Sequence, residues 1–192
     1  IKQVVDVRTG EIMFGLNMVV HKGKTIFVGD TSVHEYPTSE QMAEIAISTA
    51  RVVRLFGFEP KVAFVSHSTF GQPLTSRTKH IRKAVDILKE KKVDFEFDGD
   101  MQPDVALNSE YEELYPFSKI VGKANILIMP GQHSAAISYK MMKTIGDTKV
   151  IGPLLIGLGL PIEIAPLRSS TSELINLASI AAYSADVIDY EK

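Results

Sequence analysis

Three short polar segments hold most of the side chains that could bind or transform a ligand. They are residues 66–71 (Ser-His-Ser-Thr-Phe-Gly), 98–102 (Asp-Gly-Asp-Met-Gln) and 130–134 (Pro-Gly-Gln-His-Ser). Each combines hydroxyl, carboxyl, amide or imidazole groups with Gly or Pro, and such a segment can present side-chain and backbone donors to an anion. One loop of this kind is ordinary connecting structure. Three of them predict a ligand cleft if the fold brings them to the same place.

Other motifs that could bind a metal ion or a phosphate are incomplete in this sequence, so we take the candidate binding residues from these three segments. There is no cysteine, and the five histidines lack the spacing that is typical of a metal site. Residues 23–25 (Gly-Lys-Thr) lack the earlier glycine of a phosphate-binding loop. We therefore expect no metal ion in this chain. The candidates are Ser66, His67, Ser68, Thr69, Gly71, Asp98, Gln102, His133 and Ser134.

The composition of the chain argues against nucleic-acid-binding and membrane-spanning proteins. The 192 residues carry 21 basic and 23 acidic side chains, a formal net charge of -2, which argues against a nucleic-acid partner. The longest apolar run, 150–162, is broken by glycine and proline and is too short for a membrane span. The lack of cysteine fits the reducing cytoplasm, where we expect the protein to be. Because the chain begins with Ile1, we also expect it to be part of a longer protein.

Strand and helix signals alternate along the chain. Strands at 12–20 and 25–28 predict a hairpin or two sequential strands. The next helix has a capping box formed by Thr38 and Gln41 and ends before Gly57. The remaining predicted strands are 61–65, 94–97, 125–129, 150–151 and 162–165, and the remaining helices are 76–91, short turns within 103–115, 134–145, and a last helix capped by Ser170 and Glu173.

This alternation predicts an α/β fold with three layers, α/β/α, around a mostly parallel sheet. The carboxyl ends of parallel strands share one edge, so the three polar segments should meet there. In the helix 134–145, Ile137, Met141 and Ile145 recur at helical spacing and should lie on one face. The segment 12–20 is so apolar that, as a free sheet edge, it predicts a homodimer.

Several segments, in order and over nearly the whole chain, resemble the phosphotransacetylase (phosphate acetyltransferase) family. The resemblance implies a coenzyme A site, a dimer and a fold like that of the isocitrate and isopropylmalate dehydrogenases. It also implies an inner domain at 1–156, with 157–192 belonging to an outer domain. The segments are 37–41, 56–63, 66–71, 98–104, 122–125 and 151–155.

A closer resemblance is to the phosphotransacetylase-like C-terminal domain of bacterial NADP-dependent malic enzymes. It is carried by residues 5–10, 14–18, 66–74, 93–99 and 180–183. It implies a regulatory, oligomer-forming domain that binds acetyl-CoA and needs no cofactor of its own. NADP and Mg or Mn would belong to an N-terminal malic domain of the same chain, which oxidatively decarboxylates malate to pyruvate.

The chain departs from active transferases where they carry a Ser-Arg-Gly-Cys run and an Asp in the first turn of the last helix. An ungapped alignment places residues 166–169 (Pro-Leu-Arg-Ser) on that run and Glu173 on the Asp. A one-residue shift restores Arg168 to the Arg position but leaves Leu167 on the Ser and Leu174 on the Asp. We therefore predict no catalytic residue, and we expect Arg168, Ser169 and Ser170 to contact the ligand at the mouth of the cleft.

Three functions remain open at this point. The first is the regulatory, acetyl-CoA-binding domain of a malic enzyme. The second is an active phosphate acetyltransferase, which moves acetyl between coenzyme A and phosphate. The third is a purely structural dimerisation domain that retains an unused cleft.

Overall fold

The computed structural model describes residues 4–120 and 122–190, with side chains through Asp186. In that part of the chain, seven strands form one sheet, with helices on both of its faces. The strands are β1 (Phe14–His21), β2 (Lys24–Gly29), β3 (Lys61–Val65), β4 (Glu96–Met101), β5 (Ile126–Ile128), β6 (Thr148–Ile156) and β7 (Ile162–Glu163). The helices are α1 (Ser39–Leu55), α2 (Ser76–Lys91), α3 (Pro103–Leu107), α4 (Gln132–Ile145) and α5 (Thr171–Tyr190), with a 3-10 turn at Ser109–Tyr111.

The sheet has a parallel half and an antiparallel half. Its order is β4-β3-β5-β2-β1-β6-β7, and the strands from β4 to β2 run parallel. The pairs β2/β1, β1/β6 and β6/β7 are antiparallel. The prediction of a mostly parallel sheet is therefore wrong. The α/β class holds, but the sheet is mixed.

The antiparallel half differs from prediction because β6 does not stop at Gly152 and Pro153. A register shift between Leu16 and Met18 of β1 lets the two strands stay paired on either side of that dipeptide. Such a bulge accommodates a proline that cannot donate to the ladder. The strand predicted at 150–151 is thus nine residues long.

Side chains that alternate along the strands divide the core between the two faces. Phe27, Phe64 and Ile128 point to the face covered by α1 and α2, where Leu177 of α5 is also buried. Val28 and Leu127 point to the opposite face, which α3 and α4 cover. Three layers result, as predicted. The likeness to isocitrate dehydrogenase and the division at residue 156 stay predictions.

Local helix signals predicted the first two helices well. Thr38 and Gln41 form the predicted capping box at the start of α1. The bounds of β3 and α2 agree with the predicted 61–65 and 76–91. In the described part of the chain, no helix has both the length and the apolar character that crossing a membrane requires.

The expectation that segment 12–20 is a free sheet edge is wrong, and the predicted apolar face of α4 is exposed. Strand β1 lies inside the sheet between β2 and β6, so its apolar side chains serve the core and give no argument for a dimer. In α4, Ile137, Met141 and Ile145 are 58%, 54% and 81% exposed. A second set of apolar residues, which includes Ala135, lies on a different side of α4. The helix packs against the sheet through this second set.

Candidate functional site

Four connections gather at the edge of the sheet where the parallel strands end. Segments 66–71, 98–102 and 130–134 follow or end β3, β4 and β5, as predicted. Segment 30–36 joins them because β2 is parallel to β5. We call these four segments the loop edge. Helices α1, α2 and α4 begin close to it, so their N-terminal N–H groups favour an anion there.

A buried carboxylate organises segment 30–36. Asp30 Oδ1 accepts hydrogen bonds from the backbone N–H groups of Gly15 (2.8 Å), Ser32 (2.8 Å) and Val33 (3.2 Å). Its Oδ2 accepts one from the N–H of His34 (2.8 Å) and lies 2.7 Å from His34 Nδ1. Asp30 therefore fixes the conformation of this loop and the orientation of the imidazole.

Segment 66–71 is held by a second buried carboxylate, that of Asp100. The Ser68 hydroxyl donates to Asp100 Oδ2, and the Gly71 N–H donates to the same oxygen at 3.3 Å. The Phe70 N–H donates to the Asp100 carbonyl at 2.6 Å. Gly71 has φ +80°, and an added Cβ would lie 2.5 Å from an Arg82 guanidinium nitrogen. The turn therefore requires glycine and has Arg82 packed over it.

The predicted loop 98–102 is mostly strand, because β4 continues to Met101. Asp98 is buried, and its carboxylate accepts hydrogen bonds from the N–H groups of Gly99 (2.9 Å) and Lys119 (2.7 Å). It thus supports the chain around residue 119. Gln102 lies at the strand end, where its N–H donates to Thr69 Oγ1 at 3.3 Å and ties the two predicted segments together.

The two histidines of the predicted site are exposed. No described residue hydrogen-bonds to His67, and His133 Nε2 lies 3.6 Å from Glu35 Oε1. The hydroxyl of Ser134 donates to the Gly131 carbonyl at 2.8 Å, within the first turn of α4. Ser66 Oγ accepts a hydrogen bond from the Ser68 N–H at 3.3 Å. These side chains line the loop edge, but none of their contacts pairs a nucleophile with a base.

Residues 168–170 do not face the loop edge. β7 is antiparallel to β6, so the chain that leaves Glu163 runs back towards the start of β6. Ser169 lies in a hollow with Val150 and Gly152, and Glu173 bonds to Lys143 near the end of α4. The fourteen residues of α4 separate its two ends by about 20 Å. The structure therefore places Arg168, Ser169 and Ser170 at the opposite edge of the sheet.

Sequence reasoning missed the segment 30–36 and the central place of Asp100. The first follows the predicted hairpin, and its position at the loop edge depends on pairing between β2 and the distant β5. Asp100 lies within the predicted segment 98–102, but nothing in the sequence distinguishes its carboxylate from that of Asp98. In the described residues, no cluster of three or more His, Asp or Glu side chains could hold a metal ion.

The family model for phosphate acetyl/butaryl transferases matches residues 1–182. The chain belongs to this family. An NADP-dependent malic enzyme of Rhizobium meliloti is 45% identical over 185 residues, which are 96% of this chain and 24% of that protein. A phosphate acetyltransferase of Bacillus subtilis is 32% identical over 185 residues, 95% of this chain and 57% of that enzyme.

Solved structures agree with this family membership. A phosphotransacetylase from Streptococcus pyogenes superposes with a TM-score of 0.89 at 29% identity, covering 95% of this chain and 57% of that one. The chain thus spans a little over half of these transferases and about a quarter of the malic enzymes that it matches. The predicted resemblance to both groups is confirmed.

Proposed function

We propose that this chain is the C-terminal regulatory domain of an NADP-dependent malic enzyme and that it binds acetyl-CoA at the loop edge. The observation that carries the proposal is the 45% identity to a malic enzyme, which extends over almost the whole chain and over only a quarter of that enzyme. In the whole protein, a separate malic domain would hold NADP and a divalent metal and would oxidise malate. Its cytoplasmic location is part of the same proposal.

The chemistry of coenzyme A suits the loop edge. Its phosphates are multiply charged anions, and three helix N-termini direct N–H groups towards this edge. The exposed His67 and His133 and the Arg82 guanidinium beside Gly71 add donors around the same place. Ser66, Ser68, Thr69, Gly71, Gln102 and Ser134 would shape the walls of the site.

Binding without transfer is favoured by how the polar groups are used. The carboxylates of Asp30, Asp98 and Asp100 accept hydrogen bonds from their own chain, so they hold loops in place. Glu173, at the position of the family's Asp in the ungapped alignment, accepts hydrogen bonds from the Ser170 backbone and from Lys143. These bonds lower the pKa of Glu173 to about 2 and keep it as a helix cap.

A phosphate acetyltransferase is the second candidate, and the TM-score of 0.89 to a phosphotransacetylase favours it. Against it stands Leu167, which lies on the Ser or the Arg of the family's Ser-Arg-Gly-Cys run in either alignment and is fully exposed at the opposite edge of the sheet. Loss of one transition-state donor or cation costs about 10² to 10³ in rate.

We also propose that the protein is a homodimer or a higher oligomer, joined through the outer surface of α4 and α5. Ile137, Met141 and Ile145 form an exposed apolar stripe on α4. Leu174 and Ile175 are 46% and 59% exposed on α5. An apolar surface of this kind is typical of a protein interface. The N-terminal malic domain of the same chain would be the further partner.

The test measures malate oxidation and acetyl phosphate formation by the intact protein while acetyl-CoA is varied. We expect malate oxidation to respond to acetyl-CoA, and we expect no acetyl phosphate synthesis. In the variant His67→Glu, the added negative charge should weaken the response about fivefold, since a like charge at contact distance costs about 1 kcal/mol in water. The control is Asn176→Glu, an exposed position on α5.

Acetyl phosphate turnover of about 1 to 10³ per second would favour the second candidate instead. An unchanged response in both variants would place the acetyl-CoA site away from His67.

A further inference from the structure

An apolar hollow lies on the antiparallel half of the sheet, away from the loop edge. Helices α1 and α5 form its sides, and β6 with the chain after it forms its floor. Its volume is about 110 Å³, and Val52, Leu154, Leu158 and Ile180 are among the apolar residues of its wall. We call it the α1–α5 hollow. Apolar hollows with a few polar groups are where proteins bind small molecules.

One carboxyl in this hollow has no partner. Glu163 of β7 lines it, and Glu163 Oε2 is buried with no hydrogen-bond partner in the described part of the chain. Burial raises the pKa of Glu163 from its ordinary value of 4.5 to about 8. A buried polar atom without a partner is costly, so its retention calls for an explanation.

Three other charged side chains face the hollow, Arg8 and Glu11 before β1 and Arg51 of α1. Tyr183 of α5 is the remaining titratable side chain that lines it. Arg51 Nη1 donates to Glu11 Oε1 at 2.9 Å, and Arg8 Nε donates to the Leu158 carbonyl at 3.0 Å. The Tyr183 hydroxyl donates to the Leu55 carbonyl at 3.3 Å. All four therefore have partners of their own, whereas Glu163 has none among the described residues.

The chemistry of the hollow selects one class of ligand. A protonated carboxyl in an apolar wall can donate one hydrogen bond, so its complement is an acceptor such as a carbonyl oxygen. The rest of the wall suits a hydrocarbon body. Two guanidinium groups at the same hollow disfavour a cationic amine. We propose that the α1–α5 hollow binds a small, uncharged, apolar molecule whose carbonyl oxygen accepts a hydrogen bond from Glu163.

The test uses isothermal titration of the intact protein with hexanamide as the probe. We expect saturable binding at pH 6.5 and binding at least about tenfold weaker at pH 9.5, where Glu163 has lost its proton. Glu163→Gln keeps a donor, so it should bind hexanamide equally at both pH values. Glu163→Leu should bind at least about tenfold more weakly at pH 6.5. The matched control is Glu35→Gln at the loop edge.

Ile180→Phe supplies a second test that does not depend on Glu163, because a larger side chain should fill the hollow and abolish binding. Thermal unfolding of every variant checks that it is folded. The proposal is overturned if the intact protein does not bind hexanamide, as when another segment of the protein already fills the hollow. It is also overturned if Glu163→Leu binds as well as the wild type, or if hexylamine binds more tightly than hexanamide.

Discussion

The two halves of the sheet use buried carboxylates in opposite ways. In the parallel half, Asp30, Asp98 and Asp100 each accept hydrogen bonds from the chain around them. In the antiparallel half, Glu163 lies in an apolar hollow and accepts no hydrogen bond from the described part of the chain. A bonded carboxylate stabilises the loops that shape a site. An unbonded one lowers stability when charged and is available to a ligand, so the two halves should respond differently to mutation and to pH.

The largest effect is expected at Asp30, because its removal leaves several buried donors without an acceptor. We predict that Asp30→Ala lowers the free energy of unfolding by about 3 to 5 kcal/mol. Urea denaturation followed by circular dichroism measures this change. Asp30→Asn, which keeps one acceptor oxygen, should cost less.

The matched control for Asp30 is Asp94→Ala. Asp94 also accepts a hydrogen bond, from Arg54 at 3.1 Å, but its side chain is 78% exposed. Exposed ion pairs contribute about 0 to 1 kcal/mol, so this variant should be nearly as stable as the wild type. If the Asp30 and Asp94 variants lost equal stability, the scaffold role of the parallel-half carboxylates would be wrong.

A smaller effect is expected from the pH dependence of Glu163. Its pKa is about 8 when folded and near 4.5 when unfolded, so between these values the folded protein keeps a proton that the unfolded chain has released. Stability therefore falls as pH rises from about 4.5 to 8. Because the carboxyl is partly exposed, we expect a contribution of about 1 kcal/mol between pH 6 and pH 9, or roughly 2–4 °C in Tm.

Differential scanning calorimetry of the wild type and Glu163→Gln at both pH values checks this contribution. The Gln variant cannot ionise, so it should lose less stability between pH 6 and pH 9 than the wild type. If the wild type and Glu163→Gln lost the same stability between pH 6 and pH 9, Glu163 would be charged or solvated at neutral pH.

The smallest effect is expected at Glu173, which accepts hydrogen bonds like the parallel-half carboxylates but is only half-buried. Glu173→Ala removes a helix cap and the contact with Lys143. We predict a decrease in Tm smaller than that of Asp30→Ala and present at both pH 6 and pH 9, because the Glu173 carboxylate stays charged throughout this range. Lys143→Ala should reproduce part of the decrease. A gain in stability on either change would contradict the capping role.

The sequence predicted the parallel half better than the antiparallel half. Strand β3 and helix α2 follow from local signals, an apolar run and a capped amphipathic helix. Strand β6 depends on pairing with β1, which lies more than a hundred residues earlier in the chain. Gly152 and Pro153 are unfavourable in a strand, so the sequence predicted that the strand ends at residue 151. In α4, apolar residues lie on two sides of the helix, so spacing alone could not tell which side is buried.

In the candidate site, too, the segments that follow from local signals were predicted and the segment that depends on distant pairing was not. Segments 66–71 and 130–134 were predicted because strand ends mark the edge of a parallel sheet. Segment 30–36 could not be, since its place depends on a partner strand that is distant in the sequence. In the sequence, Glu163 is a single carboxylate between Ile162 and Ile164 in a predicted strand. This pattern does not show whether the carboxyl oxygen is buried, and only the structure shows that it is.

The most direct test of the central proposal is hydrogen–deuterium exchange of the intact protein with and without acetyl-CoA. We predict that acetyl-CoA slows exchange in segments 30–36, 66–71 and 131–134, and that it leaves segments 48–56 and 180–184 beside the α1–α5 hollow unchanged. Protection confined to the hollow or to residues 167–170, with none at the loop edge, would contradict the proposed acetyl-CoA site.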